Sequence, residues 1–228
     1  MAIKLEKGQR INLEKSDGKK LEEFCVGVNW GAIEYESEQT GFLGFGKKKV
    51  RKIINVDLDL SCVMFDSKQQ FCDHLYSPLY KPEILAKFGL PNGKLTSNNN
   101  ALRHSGDDRE GDQNGDDGLD NEVIQVNLKA LTPEVEQIFF FLNNVGREDF
   151  SQIPYAKIRM YEGTPSKVSS VYAQYNVVSE PQFSGKKALI MAKLYKKSGE
   201  WKFNAIGDAF DDSFLGQTIQ RIIQSYVK

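Results

Sequence analysis

The residues of this sequence with the clearest chemistry form an acidic stretch at positions 107–122. It holds eight carboxylates against one base, Arg109, and the acids are Asp107, Asp108, Glu110, Asp112, Asp116, Asp117, Asp120 and Glu122. Like charges at this density repel one another unless a counter-ion, a base or water neutralises them. Glycines at positions 106, 111, 115 and 118 interrupt the acids and permit sharp turns that can bring several oxygens to one point. The stretch is therefore a candidate binding site for a metal cation.

The ligand types in this stretch favour calcium over other metals. Calcium takes about six to eight oxygen ligands in irregular geometry, whereas magnesium needs a strict octahedron and keeps its waters. Zinc and softer metals need histidine or cysteine, and only His104 lies nearby. The EF-hand template fails, because Asp117 stands at its glycine position and Val123 at its final glutamate position. A solvated or disordered acidic loop without metal is the alternative that composition alone leaves open.

A second group of acids lies in the clearest predicted strand, residues 53–65. Its apolar residues alternate and share one face, which belongs in a core: Val56, Leu58, Leu60, Cys62 and Met64. Asp57, Asp59 and Ser61 share the opposite face, and the rise per residue places the two aspartates roughly 7 Å apart. They either face the acidic stretch or are ordinary exposed acids on a sheet.

The rest of the chain reads mostly as short β-strands that would position these acids. Strand patterns occur at 24–28, 123–128, 138–142, 156–161, 171–178, 188–194 and 201–206. A short helix is predicted over 82–88, a flexible glycine-rich loop over 41–46, and an amphipathic C-terminal helix over 213–227 that Ser213 would cap. Many strands with one long helix favour a mainly β fold, a two-sheet antiparallel β-sandwich, as a single domain over 1–228.

Composition argues against several classes of protein. No stretch approaches the roughly 18 apolar residues of a membrane helix, and residues 1–6 lack the apolar core of a signal peptide. Cys25, Cys62 and Cys72 cannot all pair within one chain and lack metal-binding spacing, which indicates a reducing, cytoplasmic compartment. The charge is distributed unevenly along the chain. The acidic stretch carries −7 while the whole chain carries −1, so that the remainder carries +6.

The acidic stretch resembles the signature of a known family. The residues His104-Ser105-Gly106-Asp107-Asp108-Arg109-Glu110-Gly111, then Gly115-Asp116-Asp117 and Asp120-Asn121-Glu122-Val123-Ile124, are similar to those of the TerD family, the tellurium-resistance and stress-response proteins of bacteria. Segments 5–9, 26–30, 56–61 and 199–203 also agree with the family pattern in order. The similarity covers nearly the whole chain, but residues 78–92 look like an insertion relative to shorter members.

The resemblance implies a β-sandwich that binds calcium at one end, through paired aspartates of a strand and through the acidic loop. Carried over position by position, the implied ligands are Asp57, Asp59, Asp107, Asp108, Asp116, Asp117, Asp120 and Glu122. Asp120 admits two alignments, because residues 118–121 lengthen the motif. The implied function is that of a non-enzymatic stress protein, a cytoplasmic sensor or scaffold that binds one or two calcium ions. Its protein partners could bring it to a membrane.

Two alternative functions remain open. The first is an enzyme that handles tellurium oxyanions through a thiol, for which Cys72, beside Asp73 and His74, is the candidate. Against it, the sequence lacks a nucleophile elbow and a phosphate loop. The second is an adaptor that binds anionic lipid or nucleic acid through the basic run at 47–52. That run lacks the interleaved aromatic residues of a nucleic-acid platform, which makes nucleic acid an unfavoured partner.

Overall fold

The computed structural model describes residues 2–15, 17–40, 47–177 and 181–228, and β-strands are the main regular structure among them. In chain order the strands are β1 (Ile3–Lys4), β2 (Arg10–Asn12), β3 (Glu23–Trp30), β4 (Ile33–Thr40), β5 (Lys47–Ile54), β6 (Leu58–Phe65), β7 (Phe71–Leu75), β8 (Leu102–His104), β9 (Glu122–Asn127), β10 (Gln137–Asn144), β11 (Ala156–Thr164), β12 (Lys167–Asn176), β13 (Ala188–Lys197) and β14 (Glu200–Phe210). The described residues also form two α-helices, α1 (Pro82–Lys87) and α2 (Leu215–Ser225). Short 3₁₀ turns occur at Leu128–Ala130, Phe150–Gln152 and Pro181–Phe183.

The strands form two six-stranded sheets and one separate hairpin. The first sheet has the order β1-β12-β11-β3-β9-β8, and the second has the order β2-β14-β13-β10-β6-β7. Neighbours pair antiparallel, apart from β1 and β12, which pair parallel. Strands β4 and β5 form the hairpin. The predicted mainly β, two-sheet sandwich is confirmed.

The main core lies between the two sheets and follows the two-residue period of the strands. In β6, residues Leu58, Leu60, Cys62 and Met64 point into it, as their alternation predicts. The opposite face of β6 is also buried, because Val63 and Phe65 pack beneath Leu215, Ile219 and Ile222 of α2. Burial on both faces explains the continuous apolar run of β10, whose residues 139 and 141 face α2 while 138, 140 and 142 face the main core.

The predicted continuous strand over 53–65 is wrong at residues 55–57. Strand β5 ends at Ile54 in the hairpin, and β6 begins at Leu58 in the second sheet. Hydrogen bonds from other parts of the chain hold the bend between them. The indole Nε1 of Trp30 donates to Val56 O at 2.8 Å, and Val56 N donates to Glu110 O at 3.1 Å. Asp57 therefore lies at the bend, next to the acidic loop, and Asp59 lies in the sheet.

The C-terminal helix is confirmed, but its start differs from the prediction. Helix α2 begins at Leu215, and Ser213 does not cap it. Instead, the side chain of Gln217 accepts from Ser213 N at 2.9 Å and from Phe214 N at 3.1 Å. None of the helices in the described ranges is long and apolar enough to cross a membrane. The predicted loop at 41–46 lies outside the described residues, as does residue 178 of the strand predicted over 171–178.

Candidate metal centre

The acidic loop connects β8 to β9 and is built into the first sheet. Asp112 N donates to Trp30 O at 2.9 Å, and Ala32 N donates to Asp112 O at the same distance, so that the loop backbone lies against the end of β3. At Gly111 the chain passes close to the indole of Trp30 with φ +72°, and an added Cβ would lie 2.6 Å from a ring carbon. A glycine is therefore required there. These contacts fix where the acids of the loop can lie.

A first carboxylate cluster joins the strand to the loop. Asp57, Asp59 and Asp107 each offer one oxygen, and these oxygens lie within 4.8 Å of one another. The Oδ1 atoms of Asp57 and Asp107 are buried and have no hydrogen-bond partner among the described residues. A buried acceptor without a donor is costly, and a bound cation would remove that cost. This is the convergence of strand and loop acids that the resemblance implies.

Burial and mutual repulsion make this first cluster unfavourable as free carboxylates. Burial, the neighbouring charge of Glu122 and the contact with Asp107 raise the pKa of Asp59 well above its usual value. Burial and the charge of Asp107 also raise the pKa of Asp57. The guanidinium of Arg109 opposes that rise, since its Nε lies 3.5 Å from Asp57 Oδ2, but its side chain is mostly exposed. The cluster thus favours either protons or a better-placed cation.

Glu122 links the loop to the second sheet. Its Oε2 accepts from Leu60 N at 2.7 Å and its Oε1 accepts from Asp108 N at 3.1 Å. His104 lies beside it, with Nε2 2.9 Å from Leu60 O and 3.4 Å from Glu122 Oε2. Because Gly106 N donates to His104 Nδ1, the ring proton belongs on Nε2, where it meets these acceptors. Glu122 already accepts hydrogen bonds at both oxygens, and its direct ligation of a metal stays a prediction.

A second carboxylate cluster lies within the loop itself. Asp112, Asp116 and Asp117 offer oxygens within 4.8 Å of one another, on a more exposed surface than the first cluster. Asp112 is held by Tyr155, whose hydroxyl donates to its Oδ2 at 2.9 Å, and by Asn121 Nδ2, which donates to its Oδ1 at 3.1 Å. The positions implied by the resemblance left Asp112 out. Its sequence signal was the alternating run of oxygen side chains at 112, 114 and 116.

Asp120 lies apart from both clusters and forms a buried ion pair. Arg159 Nε lies 2.8 Å from Asp120 Oδ1 and 3.0 Å from its Oδ2, and Nη2 of the same arginine donates to Gly118 O at 2.7 Å. Burial raises the pKa of Asp120 to about 6, against the effect of Arg159. Gly27 of β3 leaves space for the Asp120 carboxylate, because an added Cβ at that position would collide with it. The pairing suggests a structural role for this acid.

The eight sequence-predicted acids therefore fall into three groups. Asp57, Asp59 and Asp107 form the first cluster, Asp116 and Asp117 join Asp112 in the second, and Asp108, Asp120 and Glu122 are held by other partners. Asp108 builds the loop, since its Oδ1 accepts from Glu110 N at 2.9 Å and from Gly111 N at 3.0 Å.

Replacing Lys157 by methionine is expected to strengthen cation binding at the second cluster about two- to fivefold, which corresponds to the free energy of a surface ion pair. The ammonium of Lys157 pairs with Asp116 and lowers its pKa, so that it competes for the position of a metal ion. Calorimetric titration with calcium measures the change, and Lys167→Met is the control for loss of one positive charge elsewhere. Unchanged or weaker binding in Lys157→Met would contradict this prediction.

The protein is a β-sandwich that carries an acidic, glycine-interrupted loop between two neighbouring strands, β8 and β9. The family model of the TerD domain matches residues 1–222, and the chain belongs to this family. It is 30% identical to the stress response protein SCP2 of Bacillus subtilis (strain 168), over 98% of this chain and 100% of that protein. It is 27% identical to the tellurium resistance protein TerZ of Serratia marcescens, over 91% of this chain and 90% of that protein.

A solved structure has the same fold. It is the crystal structure of a homologue of telluride resistance protein (TerD) from Streptomyces coelicolor A3(2). The two structures superpose with a TM-score of 0.55, at 12% sequence identity, over 91% of this chain and 98% of that chain. At this identity the likeness supports the architecture alone.

Proposed function

We propose that this chain is a non-enzymatic, calcium-binding stress-response protein of the tellurium-resistance type. In this proposal it acts in the cytoplasm as a sensor or scaffold with protein partners. The observation that carries the calcium assignment is the first cluster, in which three carboxylates from two separate segments meet and two buried oxygens lack a donor among the described residues. The printed names of the relatives, a stress response protein and a tellurium resistance protein, support the biological setting.

The donor atoms of both clusters fit calcium better than other metals. Every candidate ligand is a carboxylate oxygen, and the nearby imidazole of His104 is committed to Leu60 O and Gly106 N. Asp57, Asp59 and Asp107 would hold one ion, and Asp112, Asp116 and Asp117 a second. Backbone carbonyls and water would complete the about six to eight oxygens that calcium takes, with the irregular geometry that it accepts.

The proposed sensor or scaffold role rests on the two segments that a bound ion would join. Asp57 and Asp59 belong to the bend before β6 and to β6 itself, whereas Asp107 belongs to the loop. Without a cation, the repulsion among these carboxylates opposes the closed arrangement. Calcium would neutralise that repulsion and hold the loop closed over the second sheet. A partner that recognises the closed loop would then bind in a calcium-dependent way.

The thiol alternative is disfavoured by the surroundings of the cysteines. Burial raises the pKa of Cys25 and of Cys72 to about 11, and it raises the pKa of Cys62 further. A thiol that stays protonated at neutral pH is a poor nucleophile and a poor metal ligand. An enzymatic role would instead be favoured if Cys72→Ala abolished tellurite resistance in cells while calcium binding stayed intact.

The adaptor alternative is disfavoured by the pairing of the basic run. Lys49 Nζ lies 2.7 Å from Glu36 Oε2, and Arg51 Nε donates to Glu34 Oε2 at 2.9 Å. Arg51 also donates to Gln113 O at 2.5 Å and to Asn114 Oδ1 at 3.2 Å. These cations of β5 therefore tie the hairpin to itself and to the acidic loop, which leaves less free charge for an anionic surface.

Isothermal calorimetry with calcium and with magnesium tests the proposal directly. The wild type is expected to bind calcium more tightly than magnesium. The Asp57→Asn, Asp59→Asn double variant is expected to lose the ion of the first cluster, because two of the three carboxylates no longer carry charge. Asp211→Asn, which neutralises an exposed acid outside both clusters, is the matched control. The proposal fails if the metal-stripped wild type gives no calcium-binding heat, or if the double variant binds as the wild type does.

A further inference from the structure

The segment between β7 and β8 reaches the first cluster. Tyr80 lies just before α1, and its hydroxyl donates a hydrogen bond to Asp59 Oδ2. We propose that Tyr80 is a positioning residue of the calcium site, whose hydroxyl holds Asp59 in the orientation that an ion requires. This inference rests on the proposed function and assigns a role to a segment outside those that resemble the family signature.

Asp59 needs such a donor because of where it lies. It is 4% exposed and sits on the face of β6 that α2 covers, opposite Asn143 of β10. A carboxylate at this depth is costly to keep charged, and a hydrogen bond to one of its oxygens lowers that cost. The same hydrogen bond fixes the side-chain rotamer and leaves the second oxygen for a cation. Partners of this kind orient metal ligands in many proteins.

The ring of Tyr80 is held in place by aromatic contacts on two sides. It packs edge-on against Phe214, at 5.5 Å between ring centroids, and against Tyr76, at 6.3 Å. Phe88, at the end of α1, lies 5.3 Å from Phe214 by the same measure, so that the segment between β7 and β8 packs against the start of α2. The hydroxyl therefore reaches Asp59 from a fixed support, which is the requirement for a positioning role.

The Tyr80→Phe variant tests the hydroxyl and keeps the ring. Calcium affinity of the first cluster is expected to fall roughly 10- to 100-fold, the usual effect of removing a partner of a metal ligand. Tyr76→Phe is the matched control, because that hydroxyl belongs to the same aromatic group and donates to Pro91 O at 2.6 Å rather than to a carboxylate. Calorimetry gives both affinities. Calcium is also expected to change the near-ultraviolet absorbance of tyrosine in the wild type and in Tyr76→Phe, with a much smaller change in Tyr80→Phe.

The outcomes separate this inference from the proposed function. If the wild type binds no calcium, the proposed function itself fails. If the wild type and Tyr80→Phe bind equally tightly, or if Tyr76→Phe weakens binding as much, the positioning role is overturned and calcium binding stands. Should Tyr80→Phe not fold, hydrogen exchange of the wild type decides: calcium is expected to increase amide protection over residues 78–92, and unchanged protection there overturns the inference.

Discussion

Replacing Arg159 by methionine is expected to lower the free energy of unfolding by about 3–5 kcal/mol, the usual effect of removing one partner of a buried ion pair. The side chain of Asp120 is 0% exposed and meets the guanidinium with both of its oxygens. Without Arg159 it becomes a buried charge with no counter-charge, and the hydrogen bond to Gly118 O is lost as well. Chemical denaturation at pH 7 measures the difference.

Two further variants serve as controls for this measurement. Asp120→Asn combined with Arg159→Met is expected to recover much of the lost stability, because a neutral pair of similar volume leaves no isolated charge. Lys157→Met, two positions earlier on β11, removes an exposed partner of Asp116 and is expected to change stability by less than about 1 kcal/mol.

The loss in Arg159→Met should also shrink near pH 5. Burial already raises the pKa of Asp120 to about 6 with the arginine present, and removing the arginine raises it further, so that the acid becomes neutral there. A loss below 1 kcal/mol at pH 7 would contradict the prediction.

Much of the fold could be predicted because strand alternation is a local property. The two-residue period of β6 identified its core face correctly, since neighbouring side chains of a strand must point to opposite sides. Strands β4 and β5 were missed, although Ile33 and Tyr35 alternate with Glu34 and Glu36 in the sequence. The bend at 55–57 could not be predicted, because hydrogen bonds from Trp30 and Glu110, distant in the chain, create it.

The closeness of three candidate acids was predictable, whereas the partners of the other acids were not. Carboxylate density and the family signature predicted that Asp57, Asp59 and Asp107 lie close together. The structure places one oxygen of each within 4.8 Å of the others. The partner of Asp120 is Arg159, which lies 39 residues away in an ordinary strand with no local signal of its role. Tyr80 lies between β7 and β8, outside the segments that resemble the family signature. Long-range pairing of this kind depends on the fold and is not encoded in spacing.

The metal-stripped protein is expected to lose stability as pH rises from about 4 to about 6. Burial raises the pKa of four acids of the loop region: Asp57, Asp59, Asp120 and Glu122. For Asp120 the pKa rises from 3.8 to about 6. Between those two values the folded protein binds more protons than the unfolded chain, and the free energy of unfolding must therefore fall as pH rises. His74 has the opposite effect on the pH dependence of stability, because burial lowers its pKa. It is a single group, whereas four acids have a raised pKa.

Calcium is expected to reverse this dependence. A cation binds the charged carboxylates, so that calcium binding releases protons and strengthens as pH rises. At a free calcium concentration one hundred times the dissociation constant, one bound ion adds about 2.7 kcal/mol to the free energy of unfolding. Thermal denaturation at pH 5.5 and pH 7.5, with and without calcium, measures both effects. The metal-stripped protein should melt higher at pH 5.5, and the calcium-bound protein should gain most at pH 7.5.

The controls decide whether the charged clusters cause this behaviour. Asp57→Asn with Asp59→Asn removes two of the raised pKa values and two proposed ligands. The stripped variant should therefore show a smaller loss of stability between pH 5.5 and pH 7.5 and a smaller gain from calcium. Magnesium at the same concentration should give a smaller gain, because it keeps its waters and needs octahedral geometry. A metal-stripped wild type that melts higher at pH 7.5 than at pH 5.5 would mean that the buried carboxylates are already compensated without a metal, and the physical case for calcium would be lost.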